Sequence, residues 1–537
     1  MTVDPFTVEV IRNALTAIAE EMSLVVMRSA RSPLLREAGD LSSALTDADG
    51  ALIAQGRDIP VHMGVMCATA REFLKRVPAE RLAPGDVWFL NLPEVGGNHL
   101  PDVKALRPVF VDGRLEAFAI SLAHWADIGG ARPGSYVPDA TDAWQEGLRI
   151  SPVRLFSAAG PDREKLDLVL ANLRGAAERE GDILAQMAAT RAAERRLREL
   201  YARHGAATLR AAIAALHDRS EARMRAALSA LPAGTYEGED WLDDDGVTDA
   251  PIAIRVRVTI GDGTATFDFS ASDDAVAGPL NTTRFSTAAS VFYAVKAVAG
   301  PDIQPNGGCY RSLEIITRPG SLLDPPHDRP LVGGNHETTQ RVADAIFRAL
   351  EAAVPDRLTA GGPTTSGLLL FSGPHPRDGR WTTFYETHGG GEGASRDRDG
   401  MPVIRVHMSN VMNTPAEVVE AEYPLRVERQ ALRRGSGGGG RHRGGDGLLR
   451  EYRVTGDGVA LTTMFERRVV PPYGLRGGGA GAPFRVTLIR ASGERVDVPG
   501  KTHLRLGRDD RVIVESCGGG GYGTAPDQDP TSEGDPR

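Results

Sequence analysis

Apolar residues recur at helical spacing over 7–31, at Val8, Ile11, Leu15, Ile18, Met22, Val25 and Val26, just after Asp4-Pro5. This predicts an amphipathic helix facing a core. The period then shortens to two. Residues 41–45 and 51–55 flank Asp47-Ala48-Asp49-Gly50 as a first β-hairpin, with Asp40 at its start, and a helix is predicted at 66–75. A second hairpin follows: 103–111 is apolar, Asp112-Gly113 is a turn signal, and 115–123 is the returning strand. From 162 to 231 the 3.6-residue period returns in an Ala, Arg, Leu and Glu background, predicting an array of helices broken at Gly181 and Gly205.

Beyond 232 the pattern is mixed. Strands are predicted at 252–260 and 264–269 around Gly261-Asp262-Gly263, and helices at 288–299 and 337–354. The last hundred residues read as glycine-studded strands, with the runs at 436–440, 444–445, 477–479 and 518–523 read as tight turns, and a disordered tail is expected from 525. No internal repeat is evident. The expected fold class is α+β, in five regions: 1–155, β-hairpin-rich, carrying the candidate site; 156–232, a helical array; 233–435, mixed; 436–525, glycine-rich β; and 526–537, the tail.

The length of 537 residues allows roughly three to four domains of about 150 residues. A formal charge of −9 argues against a nucleic-acid or anionic-membrane surface. Three scattered cysteines indicate neither a disulfide framework nor a thiolate metal site, so a reducing cytoplasm is expected. The amino terminus lacks a basic n-region, and no window reaches 18 consecutive apolar residues, so neither a secretory signal nor a membrane span is expected. The glycine runs include no GK[ST] and no clean GxGxxG between strand and helix, and there is no GxSxG, so nucleotide binding by this chain and serine hydrolase chemistry are not expected.

Chemistry concentrates at 91–130. His99 with Asp102, and His124 with Asp127, form two clusters beside glycines at the open end of the second hairpin. A two-residue turn pairs Val111 with Arg114 and sets Asp102 opposite Ala123, whereas a three-residue turn sets it opposite His124. Either register brings Asp102 and His124 within about 5 to 8 Å at Cβ. Two imidazoles and a carboxylate suit zinc or a similar first-row ion. A lone histidine at a strand end is more often structural, and Asp beside Gly is more often a turn residue, so spacing alone leaves both readings open. His62 reads as a buried, satisfied histidine in preference to a partner of the site.

The segments DPFTVEVIRNAL, GDLSSALTDADGALIAQGRDIPVHMG, GGNHLPD, AHWADIGG, GPLNTTRFS, PNGGCYRSLEIITRPGSLLDP, GNHETTQRVADA, NTPAEVVEAEYPLRVER, GGGGRHRGGDGLLREY and GGGGYG occur in order. In them the chain resembles the hydantoinase B/oxoprolinase family. These are metal-bearing subunits of ATP-dependent hydantoinases, oxoprolinases and caprolactamases, related to ketone carboxylase alpha subunits. The resemblance implies a metal held by Asp40, His99, Asp102 and His124, with zinc or manganese as the ion. It also implies a hetero-oligomer with a hydantoinase A-like subunit, which binds ATP and phosphorylates a cyclic amide so that metal-held hydroxide attacks the activated carbon. Asp127 is the candidate proton acceptor. The alternatives are the alpha-type subunit of an ATP-dependent ketone carboxylase, or a scaffold with a structural metal. Leu92 and Trp125 depart from the family pattern and mark where specificity is expected to diverge.

Overall fold

The computed structural model describes residues 3–525; from 526 the expected disordered tail lies outside the described residues. Helix α1 (Pro5–Ser29) starts where predicted, with the Asp4 carboxylate accepting the Thr7 N–H at 3.0 Å. Its apolar stripe lies on an antiparallel sheet made of β1 (Leu41–Asp47), β2 (Leu52–Gln55), β3 (Val87–Leu90), β4 (Asp102–Val111), β5 (Arg114–His124), β6 (Val153–Ser157) and β7 (Gly160–Pro161). The order is β2-β1-β5-β4-β3-β6-β7, so the second hairpin is the centre of the sheet. Both faces of that hairpin are covered, which explains its nearly continuous apolar runs.

Helix α2 (His62–Arg76) covers one face of the sheet. It begins four residues before the predicted start, because Gly64 lets it approach Ala289, to whose backbone nitrogen a Cβ would come within 2.5 Å. The other face carries α1 and, after α3 (Arg163–Leu170), the long helices α4 (Ala176–His204) and α5 (Ala206–Ser229). The helical array and the first sheet therefore share one core. The break expected at Gly181 is absent. A Cβ there would meet Arg31 Cγ at 2.1 Å, so this glycine serves close crossing of the chain after α1, and the helix runs on to Gly205.

The second sheet comprises β8 (Gly234–Leu242), β9 (Ile252–Gly261), β10 (Thr264–Asp268) and β11 (Leu313–Ile316), packed with α6 (Arg284–Ala299) and α7 (Thr338–Leu350). The carboxy-terminal part adds β12 (Leu368–Pro374), β13 (Trp381–Glu386), α8 (Ala416–Glu422), β14 (Leu425–Arg433), β15 (Gly447–Val454), β16 (Val459–Met464), β17 (Arg485–Ile489), β18 (Arg495–Asp497), β19 (Lys501–Leu506) and β20 (Arg511–Glu515). These strands form sheets ordered β13-β12-β16-β19 and β14-β15-β20-β17-β18 around a third core. The α+β class is as expected. Among the described residues no helix is long and apolar enough to cross a membrane.

Of the late glycine runs only 477–479 enters a tight turn, with Gly478 N–H donating to Leu475 O at 3.0 Å; apart from Gly477 and Gly523, the run glycines lie outside the left-handed region. They lie backbone against backbone: Gly438 N–H donates to Gly519 O at 2.8 Å, Gly519 N–H to Gly445 O at 3.0 Å, and Gly521 N–H to Gly479 O at 2.8 Å. A Cβ at Gly519 would sit 1.9 Å from Glu392 O, and one at Gly444 would sit 1.9 Å from Gly519 O. The missing side chain, not φ freedom, is what these positions require. Gly519→Ala is expected to destabilise by about 3 kcal/mol, the upper range for overpacking. Gly439→Ala, with nothing within 4 Å of its Cβ, should stay within about 0.5 kcal/mol of wild type. Denaturant unfolding of the two variants checks this, and equal losses would refute the packing argument.

Candidate metal centre

Asp112 (φ 49°) and Gly113 (φ 77°) make a two-residue turn with Val111 opposite Arg114. That turn by itself puts Asp102 opposite Ala123. The ladder slips, however, between Val109, which faces Ala117, and Phe110, which faces Leu115. Glu116 is the extra residue of a β-bulge, held by Arg210 at 2.6 Å, and Asp102 consequently faces His124. The turn of one expected register thus coexists with the pairing of the other.

His99, Asp102 and His124 are all buried, and one potential ligand atom from each lies within 4.8 Å of the others. His99 Nδ1–H donates to Val332 O at 3.1 Å, which leaves the Nε2 lone pair facing Asp102 Oδ2 at 3.1 Å. Two acceptors at that distance repel unless a proton or metal ion lies between them. Asp102 Oδ1 and His124 Nδ1 are buried without a protein partner, an arrangement costing about 1–3 kcal/mol per group. The residues therefore fit a divalent ion with nitrogen and oxygen ligands.

The electrostatics of the protein groups put a proton between His99 and Asp102, where a metal would displace it, and leave His124 neutral. Burial pushes the Asp102 carboxyl up, but His99 and His62 more than reverse this and hold it well below the usual range. Burial draws His99 down, yet Asp102 turns the net shift upward. Burial draws His124 well down, leaving it as the neutral imidazole that a metal needs.

The other predicted residues are placed differently. Asp40, behind the one-turn π-helix Leu34–Ala38 and Gly39 (φ 70°), lines the same cavity but lies outside the three-residue group. Its carbonyl accepts the His124 N–H at 3.1 Å, and its carboxyl is raised to about 6 by burial and by Asp102. Asp127 does not line the cavity. Its carboxylate accepts from Gly129 N–H (2.8 Å), Gly134 N–H (2.7 Å) and Arg174 (3.3 Å), and so folds the 127–134 loop instead of facing a substrate. Leu92 and Trp125 also lie off the cavity. Both are packed into cores, with the Trp125 indole donating to Gln186 at 3.1 Å, so neither contacts a ligand there.

His62 is satisfied, and it is also part of the site. Its Nδ1 lies 2.8 Å from Ser42 Oγ and its Nε2 3.2 Å from Asp102 Oδ2. Asn98 also donates to Asp102. Tyr136 and Tyr385 flank His124 with their hydroxyls 3.4 Å apart, and Asn335 and His336 close the opposite side. Sequence reasoning missed these four residues, although a signal existed. Val-Gly-Gly-Asn-His occurs twice, at 95–99 and 332–336, which corrects the reading that no repeat is present. The copies meet in space: Asn98 donates to Asn335 Oδ1 at 3.0 Å, and Asn335 Nδ2 reaches His99 Nε2 at 3.2 Å.

The cavity is about 30 Å³. Met408, Ser409 and Val411 line it, residues 404–407 with Ser409 and Asn410 line a neighbouring cleft of about 430 Å³, and Ser409 borders both.

Fold and site together define a large α+β chain closed around a buried histidine–carboxylate cluster. The hydantoinase B/oxoprolinase model matches residues 4–525, and the chain belongs to that family. It is 33% identical to caprolactamase subunit beta of Pseudomonas jessenii over 536 residues, 97% of this chain and 91% of that one. It is 31% identical to 5-oxoprolinase 1 of Arabidopsis thaliana over 552 residues, 97% of this chain but 42% of the plant protein, so it spans less than half of that relative. The crystal structure of the ATP-dependent caprolactamase from P. jessenii superposes with a TM-score of 0.91 at 32% identity, over 98% of this chain and 92% of that one. A nucleotide-free acetone carboxylase structure shares the fold, with a TM-score of 0.88 at 20% identity over 97% of this chain and 76% of that one.

Two outcomes are expected. Elemental analysis should find about one zinc or manganese per chain, lost in His124→Ala and kept in Asp127→Asn, since only the former removes a candidate ligand atom. Loss of the metal in Asp127→Asn would overturn the assignment. Glu146, whose Oε1 accepts Leu331 and Val332 N–H at 2.8 Å each, supports the carbonyl that holds His99; burial raises its pKa from 4.5 to about 8. The folded state thus holds a proton that the unfolded state releases, so wild-type stability falls as pH rises from about 4.5 to about 8. Glu146→Gln should gain on wild type across that window and be level with it below the window; parallel stability curves would contradict this.

Proposed function

We propose that this chain is the metal-bearing subunit of a hydrolase that opens cyclic amides, working with a hydantoinase A-like subunit that binds ATP. The observation carrying this reading is the buried group of His99, Asp102 and His124, with acceptor facing acceptor, in a chain similar over nearly its whole length to caprolactamase subunit beta. His99, Asp102 and His124, with Asp40 at hand, would hold a divalent ion, which when bound would supply Lewis acidity and lower the pKa of water toward about 7.

The protein's own groups do the positioning. Val332 O fixes the His99 tautomer, and His62 and Asn98 orient Asp102. Burial pushes the Tyr136 and Tyr385 hydroxyls well above their ordinary pKa, so both remain protonated, and Tyr385, which lines the cavity, is the one placed to donate to a substrate oxygen. An unstrained amide is a poor electrophile, and phosphorylation of its oxygen on the partner would activate it; the absence of GxxxxGK[ST] from this chain accords with ATP binding elsewhere. A cavity of about 30 Å³ does not hold a ring substrate as it stands, so the ring's approach to the cluster requires part of the lining to move, and Ser409 is where that lining adjoins the larger cleft.

The test is to purify the chain alone and with its ATP-binding partner, and to assay 5-oxoproline, hydantoin and caprolactam. Ring opening coupled to ATP hydrolysis is expected only from the complex. Turnover by the chain alone without ATP would overturn the two-subunit scheme. Incorporation of labelled bicarbonate into a ketone would assign a carboxylase instead.

A further inference from the structure

We propose that His336, oriented by Glu337, is the acid–base residue of ring opening, a role that rests on the hydrolase reading above. The two Val-Gly-Gly-Asn-His copies end in histidines that face one cavity with different surroundings. His99 has Asp102 three residues on and turns its Nε2 toward that carboxylate. His336 has Thr339 at that spacing, and the residue beside it is Glu337 where the first copy has Leu100. Thr339 Oγ1 is bonded to Asn335 O at 2.6 Å and offers the cavity no charge.

His336 Nδ1 lies 2.9 Å from Glu337 Oε1, which also accepts the Ser366 N–H at 3.0 Å. The Nδ1–H is thus held by a carboxylate that is itself fixed, the orienting arrangement of a histidine base. The Nε2 is buried without a protein partner, on a residue lining the cavity with Asp102, His99 and His124. The ring centroid is 6.5 Å from His99 and 5.3 Å from Tyr136, and His336 is outside the three-residue metal group. It therefore lines the cavity close to both His99 and Tyr136. Asp127, the acceptor expected from sequence, is occupied by its own loop.

In the step this geometry serves, His336 Nε2 accepts a proton from water as the water oxygen bonds to the acyl carbon. The same proton passes to the ring nitrogen as the carbon–nitrogen bond breaks. The oxygen of this water stays on the acyl carbon and its hydrogens leave with the amine, so C–N cleavage gives an acyl phosphate; a second water cleaves that to the carboxylate and inorganic phosphate, and the imidazole is regenerated.

The experiment uses the complete complex with ATP and the ring substrate that wild type opens. His336→Ala and His336→Gln are expected to keep the wild-type metal content while turnover falls about 10²- to 10⁴-fold, the range for a lost general acid–base group. Added imidazole should restore turnover to His336→Ala but not to His124→Ala. His336→Gln retains an N–H for Glu337, so its equal loss would separate proton transfer from folding. Wild-type turnover in either variant, loss of metal with the histidine, or failure of imidazole rescue would each overturn the role. A wild-type complex inactive on every cyclic amide, with metal intact in all His336 variants, would overturn the hydrolase reading and this step with it.

Discussion

Two lone pairs set 3.1 Å apart in a buried cavity, His99 Nε2 and Asp102 Oδ2, are the constraint around which this molecule is arranged. They repel unless a proton or a cation lies between them, and solvent gives no relief because neither residue reaches it. The surrounding structure holds them in place all the same. Val332 O takes the other imidazole nitrogen, while His62 and Asn98 take the carboxylate. A small apolar core drawn from distant parts of the chain, including Leu34, Ala126, Val332, Leu370 and Met408, packs around them. Such an over-determined arrangement of ligand-type atoms is intelligible as a cation site.

Placement of that cluster depends on long-range accidents of packing more than on local preference. Glu116 bulges from β5, shifting the pairing by one so that Asp102 meets His124, and an arginine from α5 holds the bulge. The second Val-Gly-Gly-Asn-His segment arrives from more than two hundred residues away and supplies both the carbonyl behind His99 and the opposing His336. One short motif is used twice, once to hold the carboxylate-facing histidine and once to present a histidine backed by Glu337. The residue after the motif decides which.

Glycine has three distinct uses here that look alike in sequence. Gly113 supplies a left-handed conformation in a turn, Gly181 lets a helix be crossed closely, and Gly519 lies directly against another backbone. Only the first has a local signature, the preceding Asp112. The others depend on what approaches from elsewhere in the chain, which is why a helix break was expected at Gly181 and turns were expected in the late runs.

What the sequence by itself determined were the features carried by neighbours along the chain: the amphipathic α1, the two hairpins, the Gly205 helix end, and the gathering of His99, Asp102 and His124 at one hairpin mouth. Family membership was legible for the same reason, since its motifs are contiguous. Only the tertiary structure decided that Asp102 faces His124, that Asp40 lines the cavity outside the tight group, that Asp127 folds its own loop, and that Trp125 and Leu92 belong to cores. It alone joined Asn335 and His336 to the site. Register slips, burial and pairings across hundreds of residues follow from packing one surface against another, and no local pattern encodes which surface that will be.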